Sequence, residues 1–342
     1  MQVYLVAFVV ALIASFFLTP WVKQLAVKWG AMDAPDARKV HTKPIPRMGG
    51  LAIYAAFVLA VISSMHLTRD IVGLLLGGSL IVIVGIFDDI YQLPAKVKLF
   101  WQIVAASVLV IFDIRIEWFT NPFGGYVYLE YLSIPITILW VVSLTNVVNL
   151  IDGLDGLAAG VSIIAAVTVI LVALKQGFYP VAVLTAALAG AATGFMKYNF
   201  NPATIFMGDT GSMFLGYMMA AISVFGAVKS AATIALVVPS IALGLPIMDT
   251  AFAIIRRYTN GQPIFKPDKG HLHHRLLAMG LTQKQTVLLM YLISAALGFS
   301  AILLADANRT SAMVIIGVII AAVFIGAKKI GILHDAESAK TH

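Results

Sequence analysis

Eleven stretches of this chain, roughly 2–19, 49–66, 71–87, 99–116, 133–149, 157–174, 180–196, 212–228, 232–255, 285–304 and 311–327, are almost uninterruptedly apolar. A helix needs about 17–25 such residues to cross the hydrocarbon core of a bilayer. In lipid every backbone N–H and C=O must find its partner inside the protein, so segments of this kind become helices. Composition agrees: 61% of the residues are hydrophobic and 11% are charged, where soluble domains carry about 25% charged residues. The expected fold is an all-α polytopic integral membrane protein, one domain over residues 1–342 with about eleven transmembrane helices. The absence of cysteine excludes disulfide frameworks, thiolate catalysis and iron–sulfur or Cys-based zinc sites.

Charge asymmetry sets the expected orientation. Residues 1–18 have no basic n-region and no small-residue cleavage pattern, and Lys23 and Lys28 follow them, so they read as a retained first span with the N-terminus outside. Of the 23 Lys and Arg residues, that topology leaves only Arg69, Arg115, Lys175, Lys229 and Arg309 outside and places the C-terminus in the cytoplasm. This is the positive-inside distribution.

The same topology brings every acidic turn to the cytoplasmic face: Asp88-Asp89, then Asn146-Val-Val-Asn149-Leu-Ile-Asp152-Gly-Leu-Asp155-Gly156, then Phe206-Met-Gly208-Asp209-Thr-Gly211. A carboxylate beside hydrocarbon costs roughly 2.5–3.5 kcal/mol on insertion scales, which makes each one a functional candidate. Basic stretches share the face: Arg38 to Arg47, with His41 and Lys43; Lys96-Val-Lys98; and Arg256 to Lys284, containing His271-Leu-His273-His274-Arg275. The expected active-site loops are therefore 20–48, 88–98, 146–156, 197–211 and 256–284. Carboxylates alternating with Lys, Arg and His suit a metal-bound polyphosphate, because Mg²⁺ prefers one or two carboxylates plus phosphate oxygens and water. Lys and Arg neutralise the charge that remains.

Local structure supplies the alternatives. If the fifth helix continues, Asp152 and Asp155 lie three apart on one face, as do Asn146 and Asn149; otherwise one Asp caps the following span. Asp209 is equally a candidate cap for the eighth span. Two adjacent carboxylates at the end of the third helix oppose its dipole, so Asp88 and Asp89 call for a cation partner. Lys96 and Lys98 can equally do no more than set topology or meet anionic lipid. His271, His273 and His274 lack an HExxH pattern or a cysteine partner, and read as phosphate or sugar contacts rather than zinc ligands.

Taken together, Asp88-Asp89, the Asn-Val-Val-Asn-Leu-Ile-Asp-Gly-Leu-Asp-Gly-Leu run, the Asn-Pro-Ala-Thr-Ile-Phe-Met-Gly-Asp-Thr-Gly-Ser run and His-Leu-His-His-Arg-Leu resemble the polyprenyl-phosphate N-acetylhexosamine-1-phosphate transferases. The resemblance extends over most of the chain. The His loop is similar to the branch that uses UDP-N-acetylglucosamine rather than the muramyl-pentapeptide branch, and residues 40–50 resemble the enzymes that start wall teichoic acid.

The resemblance implies transfer of N-acetylglucosamine 1-phosphate from UDP-N-acetylglucosamine to undecaprenyl phosphate, with release of UMP. It implies Mg²⁺, or Mn²⁺ in its place, on Asp209 and Asp88. Asp88, Asp89, Asp209 and Lys98 are the implied catalytic group. Lys43 would contact phosphate; Asn146, Asn149, Asp152, Leu154 and Asp155 would contact the nucleotide; and Asn199, Phe206, Gly208, His271, His273, His274 and Arg275 would close around the nucleotide-sugar. Expected partners are the two substrates and the bilayer, with no nucleic acid, and family analogy suggests a homodimer in a bacterial plasma membrane. Three alternatives fit less well. A transporter would carry its ionisable residues near mid-span. An intramembrane aspartyl protease would need Gly-x-Gly-Asp, and a CDP-alcohol phosphotransferase would need Ala-Arg after Asp152-Gly. The nearer alternative is a sibling using UDP-MurNAc-pentapeptide or another UDP-N-acetylamino sugar.

Overall fold

The computed structural model describes residues 2–35, 43–120, 125–229, 232–262 and 270–330. These residues form a bundle of thirteen α-helices with two small antiparallel strand pairs. In chain order these are α1 (Val3–Trp29), β1 (Met32–Asp33), β2 (Ile45–Pro46), α2 (Gly50–Ser64), α3 (Arg69–Tyr91), α4 (Ala95–Ile111), β3 (Trp118–Thr120), β4 (Tyr126–Tyr128), α5 (Ser133–Leu150), α6 (Leu157–Lys175), α7 (Tyr179–Asn199), α8 (Gly208–Lys229), α9 (Ala232–Ala242), α10 (Gly244–Thr259), α11 (Leu272–Ala278), α12 (Gln283–Ala305) and α13 (Arg309–Ile330). His41, Lys266, Lys269 and the basic residues at 38–39 fall outside the described residues.

Each of the eleven apolar stretches is largely helical, and among the described residues eight helices are long and apolar enough to cross a membrane. The exceptions are instructive. The stretch at 49–66 forms a helix of only 15 residues, α2. The stretch at 99–116 begins earlier, at Ala95, and stops at Ile111, leaving Asp113 and Arg115 outside the helix. The stretch at 232–255, expected as one span, bends by 73° between α9 and α10. Pro246 is the physical reason: it has no N–H for the carbonyl of Ala242, and its ring excludes a continuous helix there. Conversely, α1 runs ten residues past the expected end of the first span, through Pro20 to Trp29, so much of the loop expected over 20–48 is helix.

The bundle is built around α8, which is almost wholly buried. A helix apolar on every side suits either a protein core or lipid, and α8 takes the core place, packed against α2, α3, α5, α7 and α9. Glycines set how closely. A Cβ on Gly85 of α3 would lie 2.4 Å from Cα of Thr210, and one on Gly50 of α2 would lie 2.0 Å from the amide nitrogen of Gly211. Both contacts sit at the first turn of α8, so the start of this helix is pressed into the ends of α2 and α3. At the other extreme α13 is almost entirely exposed, as a lipid-facing helix is.

Candidate active site

The tight crossing at Gly85 decides where the acidic residues go. One turn further along α3, Asp89 is buried under the start of α8, where its carboxylate accepts the N–H of Asp209 at 2.9 Å, the N–H of Thr210 at 3.1 Å and the Thr210 hydroxyl at 2.6 Å. An anion at that place satisfies orphan amides and complements the helix dipole. Asp209 is therefore not the cap of α8; Asp89 performs that function, and the Asp209 side chain is left to face Lys98. Gly208, at φ 72°, permits the arrangement, since a Cβ there would meet the Asp89 carboxylate at 2.3 Å.

Lys98, in the first turns of α4, lies between two carboxylates. Its Nζ is 2.8 Å from Oδ2 of Asp209 and 3.2 Å from Oδ2 of Asp88. The other Asp88 oxygen accepts the N–H of Leu93 at 2.7 Å, which fixes the turn between α3 and α4. Asn149 of α5 donates to Ser212 at 2.9 Å. Asn146, one turn deeper, forms a reciprocal amide pair with Gln102, with contacts of 2.6 and 3.3 Å. Lys98, Gln102, Asn146, Asn149 and Ser212 thus form a polar column behind Asp209, running from the site into the bundle.

The Asp152–Asp155 segment does not continue the fifth helix. α5 ends at Leu150, and the chain turns through Gly153 to Gly156, which adopts φ 77°. Three residues fasten the turn. Asn199 accepts the N–H of Gly156 at 3.1 Å and donates to the carbonyl of Ile205 at 3.1 Å. The Tyr291 hydroxyl donates to the carbonyl of Gly156 at 2.6 Å. Asp155 accepts from Asn201 Nδ2 at 2.9 Å and from the N–H of Ala203 at 3.0 Å. Burial, and then the charges of Asp209, Asp89, Asp155 and Asp33, push the Asp152 carboxyl up to about 8. An acid so placed awaits a positive partner.

His273 packs directly on Gly153, where a Cβ would come within 2.6 Å of its Nε2. Its own burial, and then the neighbouring His274, lower its value to about 3, so it stays neutral. Arg47 closes the other side. The β1–β2 pairing and an isolated bridge from Arg47 to Phe206 bring its guanidinium to the carbonyls of Asp89 at 3.0 Å and Asp88 at 3.3 Å, and within 3.6 Å of Asp33.

These elements enclose a cleft of about 330 Å³. Of the residues expected at the site, Asp89, Asp152, Leu154, Asp155, Asn199, Phe206, Gly208, Asp209 and His274 line it. Asp88, Lys98, Asn146, Asn149, His271, His273 and Arg275 are not among the lining residues; Lys98 adjoins the cleft through Asp209, and His273 through His274. Lys43 is exposed and is not among the lining residues. Four further residues line it: Arg47, from the expected basic stretch, and Gly153, from the Asp152–Asp155 run, together with Asp33 and Gln283, which the sequence did not single out. Nothing local distinguishes Asp33. Gln283 had a usable signal: Thr282 and Gln285 form a capping box at the start of α12, which fixes Gln283 in its first turn.

Among the described residues there is no group of three or more His, Asp or Glu side chains able to hold a metal. Two hard oxygen donors nevertheless converge on one positive charge at Lys98, and this donor set suits Mg²⁺. Asp209 and Asp88 are the residues that would hold it.

The glycosyl transferase family 4 profile matches residues 71–227, which include Asp88, Asp89, Lys98, Asp152, Asp155 and Asp209. A Bacillus subtilis (strain 168) protein named probable undecaprenyl-phosphate N-acetylglucosaminyl 1-phosphate transferase is 44% identical over 332 residues, covering 96% of this chain and 93% of that protein. The chain belongs to glycosyl transferase family 4. Other relatives extend the family likeness. Decaprenyl-phosphate N-acetylglucosaminephosphotransferase of Mycolicibacterium smegmatis is 38% identical, covering 92% of this chain and 85% of that protein. Phospho-N-acetylmuramoyl-pentapeptide-transferase of a Thermoanaerobacter species is 30% identical, covering 84% and 93%. Within the family, the site described here draws on segments on both sides of the profile match: Asp33 and Arg47 before it, His274 and Gln283 after it.

Proposed function

We propose that the protein transfers N-acetylglucosamine 1-phosphate from UDP-N-acetylglucosamine to undecaprenyl phosphate, giving undecaprenyl-diphosphate-N-acetylglucosamine and UMP. The observation that carries this reading is the convergence of three acidic segments and Lys98 on the start of α8, at the wall of one cleft. The names of relatives at 44% and 38% identity support the donor sugar, while the muramyl-pentapeptide relative stands at 30%.

A phosphate monoester has a second pKa of about 6, so the acceptor is largely ionised at neutral pH and needs no strong base. One of its oxygens attacks the β-phosphorus of the donor; the new P–O bond forms as the bond to the bridging oxygen breaks, and UMP leaves with that electron pair. Catalysis then rests on positioning and charge neutralisation. Lys98 neutralises phosphate charge beside Asp88 and Asp209. Asp89 and Arg47 hold the start of α8 and the end of α3 in register. Asp152, Asp155 and His274 face the donor. Mg²⁺, or Mn²⁺ in its place, held by Asp209 and Asp88, would supply charge neutralisation at the diphosphate.

The charge distribution along the sequence supports a cytoplasmic cleft in a bacterial plasma membrane, and we assign the reaction to the first membrane step of wall teichoic acid or a related glycopolymer, in a homodimer. The test is UMP release by purified protein with undecaprenyl phosphate and Mg²⁺. UDP-N-acetylglucosamine should be used and UDP-MurNAc-pentapeptide hardly at all; preference for the pentapeptide donor overturns the assignment of the sugar.

A further inference from the structure

Beyond the 73° bend, α10 carries a buried face on which Asp249 and Arg256 flank Ala253. This spacing puts the three on one side of a helix. Asp249 sits 22 residues before the His segment in sequence, within a stretch that reads as plain membrane span, yet its two carboxylate oxygens are both spent on that segment. Oδ2 is 2.9 Å from Nδ1 of His271, and Oδ1 accepts the N–H of Leu272 at 2.8 Å. At the other end of the face the Arg256 guanidinium packs against Gly270, where a Cβ would lie 2.2 Å from Nη2, and Arg275 donates to the Gly270 carbonyl at 3.1 Å. Residues 270–272 are therefore held against α10 by Asp249 and Arg256, and Arg275 ties the far end of the segment back to Gly270.

From Asp249 a row of rings leads to the cleft. The His271 ring stacks on His273, 5.9 Å away and nearly parallel; His273 lies 4.2 Å from His274; and His274 lines the cleft. A bond to Nδ1 also selects the tautomer of His271, leaving Nε2 as the other ring function. Small-residue packing of His273 on Gly153 ties the same row to the Asp152–Asp155 turn.

We propose that Asp249 is a positioning residue for the donor half of the site: by fixing His271 and the first amide of α11, it presents His274 to the cleft against the Asp152–Asp155 turn. This rests on the reading of the cleft as the nucleotide-sugar site. Asp249 touches neither Lys98 nor Asp209, so its loss should be felt by the donor and hardly by the acceptor.

The experiment compares Asp249→Ala, Asp249→Asn and His271→Ala with the wild type, using UMP release for KM and kcat and calorimetric titration of UMP for binding. Asp249→Ala should raise the donor KM and the UMP dissociation constant at least tenfold while the undecaprenyl phosphate KM changes less than twofold. Asp249→Asn keeps an acceptor for Leu272 and should recover most of the loss. The double variant Asp249→Ala with His271→Ala should be no worse than the poorer single variant, since the two residues act as a unit. Equal rises in donor and acceptor KM, a fall in kcat alone, or additive losses in the double variant would overturn the proposal. If Asp249→Ala does not fold, Asp249→Asn and His271→Ala decide by the same donor-against-acceptor criterion. Failure of the functional reading looks different: the wild type would then release no UMP from any UDP-sugar, whereas failure of this proposal leaves wild-type turnover intact and UMP affinity unchanged by the substitutions.

Discussion

Asp89 of α3 accepts the Thr210 hydroxyl of α8 at 2.6 Å, across 121 residues of sequence. Together with the two backbone amides it receives, this bond makes a buried carboxylate of one span the cap of another. Removing it strands those donors, and an unsatisfied buried group costs about 1–3 kcal/mol. Asp89→Ala should lower the midpoint of thermal unfolding in detergent and abolish turnover, while Thr210→Val, which removes one donor and leaves the amide bonds, should cost about 1 kcal/mol. A variant Asp89→Ala as stable as wild type would show that the cap carries no weight.

Asp209→Asn separates charge from folding. The backbone N–H that Asp89 holds is untouched by the substitution, so thermal stability should stay close to wild type. The carboxylate facing Lys98 is lost, and turnover should fall about 10²- to 10³-fold, the scale for removing one preorganised electrostatic group. Near-normal turnover of folded Asp209→Asn at limiting Mg²⁺ would contradict its assignment.

Stability should depend on pH through Asp152. Its carboxyl is raised from 3.8 to about 8 in the folded protein, so between those values the folded state holds a proton that the unfolded state releases, and stability falls as pH rises. His273, lowered from 6.5 to about 3, has the opposite effect: stability rises with pH up to about 6.5 and is constant above it. Between pH 6.5 and 8 His273 therefore adds no slope, and the contribution of Asp152 is read as the difference from Asp152→Asn. In the presence of a chelator, the unfolding midpoint should decline across that window, and Asp152→Asn should flatten the decline.

Helix spacing gives a further test. Gly85→Ala forces a methyl group against the Thr210 backbone and should cost about 1–3 kcal/mol, with loss of activity as the start of α8 moves off Asp89. Gly317→Ala on exposed α13, where a Cβ meets nothing within 4 Å, should be neutral or slightly stabilising. Thermal unfolding of both variants, with turnover measured alongside, checks the contrast.

Orientation can be read by labelling, because the chain contains no cysteine. A cysteine replacing exposed Tyr128 in the β3–β4 hairpin should react with a membrane-impermeant maleimide in intact cells, and one replacing exposed Tyr258 at the end of α10 should react only after permeabilisation. The reverse pattern would place the cleft on the outer face.

The sequence by itself determined that the chain is a helical membrane protein, because uninterrupted apolar length is a local property and lipid leaves the backbone no alternative. It also singled out Asp88, Asp89, Asp152, Asp155, Asp209 and His274, because a carboxylate or imidazole among so many apolar residues stands out from its own neighbourhood. Which of those acids cap and which face the cleft was not legible there. In sequence Asp209 is the candidate cap of α8 and Asp89 an acid at the end of the third helix, and only the closeness of Gly85 to Thr210 gives the capping task to Asp89. The same holds for the turn after Leu150, which follows helical spacing on paper but breaks away to meet Asn199 and Tyr291. Asp33, Arg47 and Asp249 gain their places from contacts with distant segments, and a contact between distant segments has no local signature. Composition and spacing fix which helices exist and which residues are costly to keep; the close packing of those helices decides what each costly residue faces.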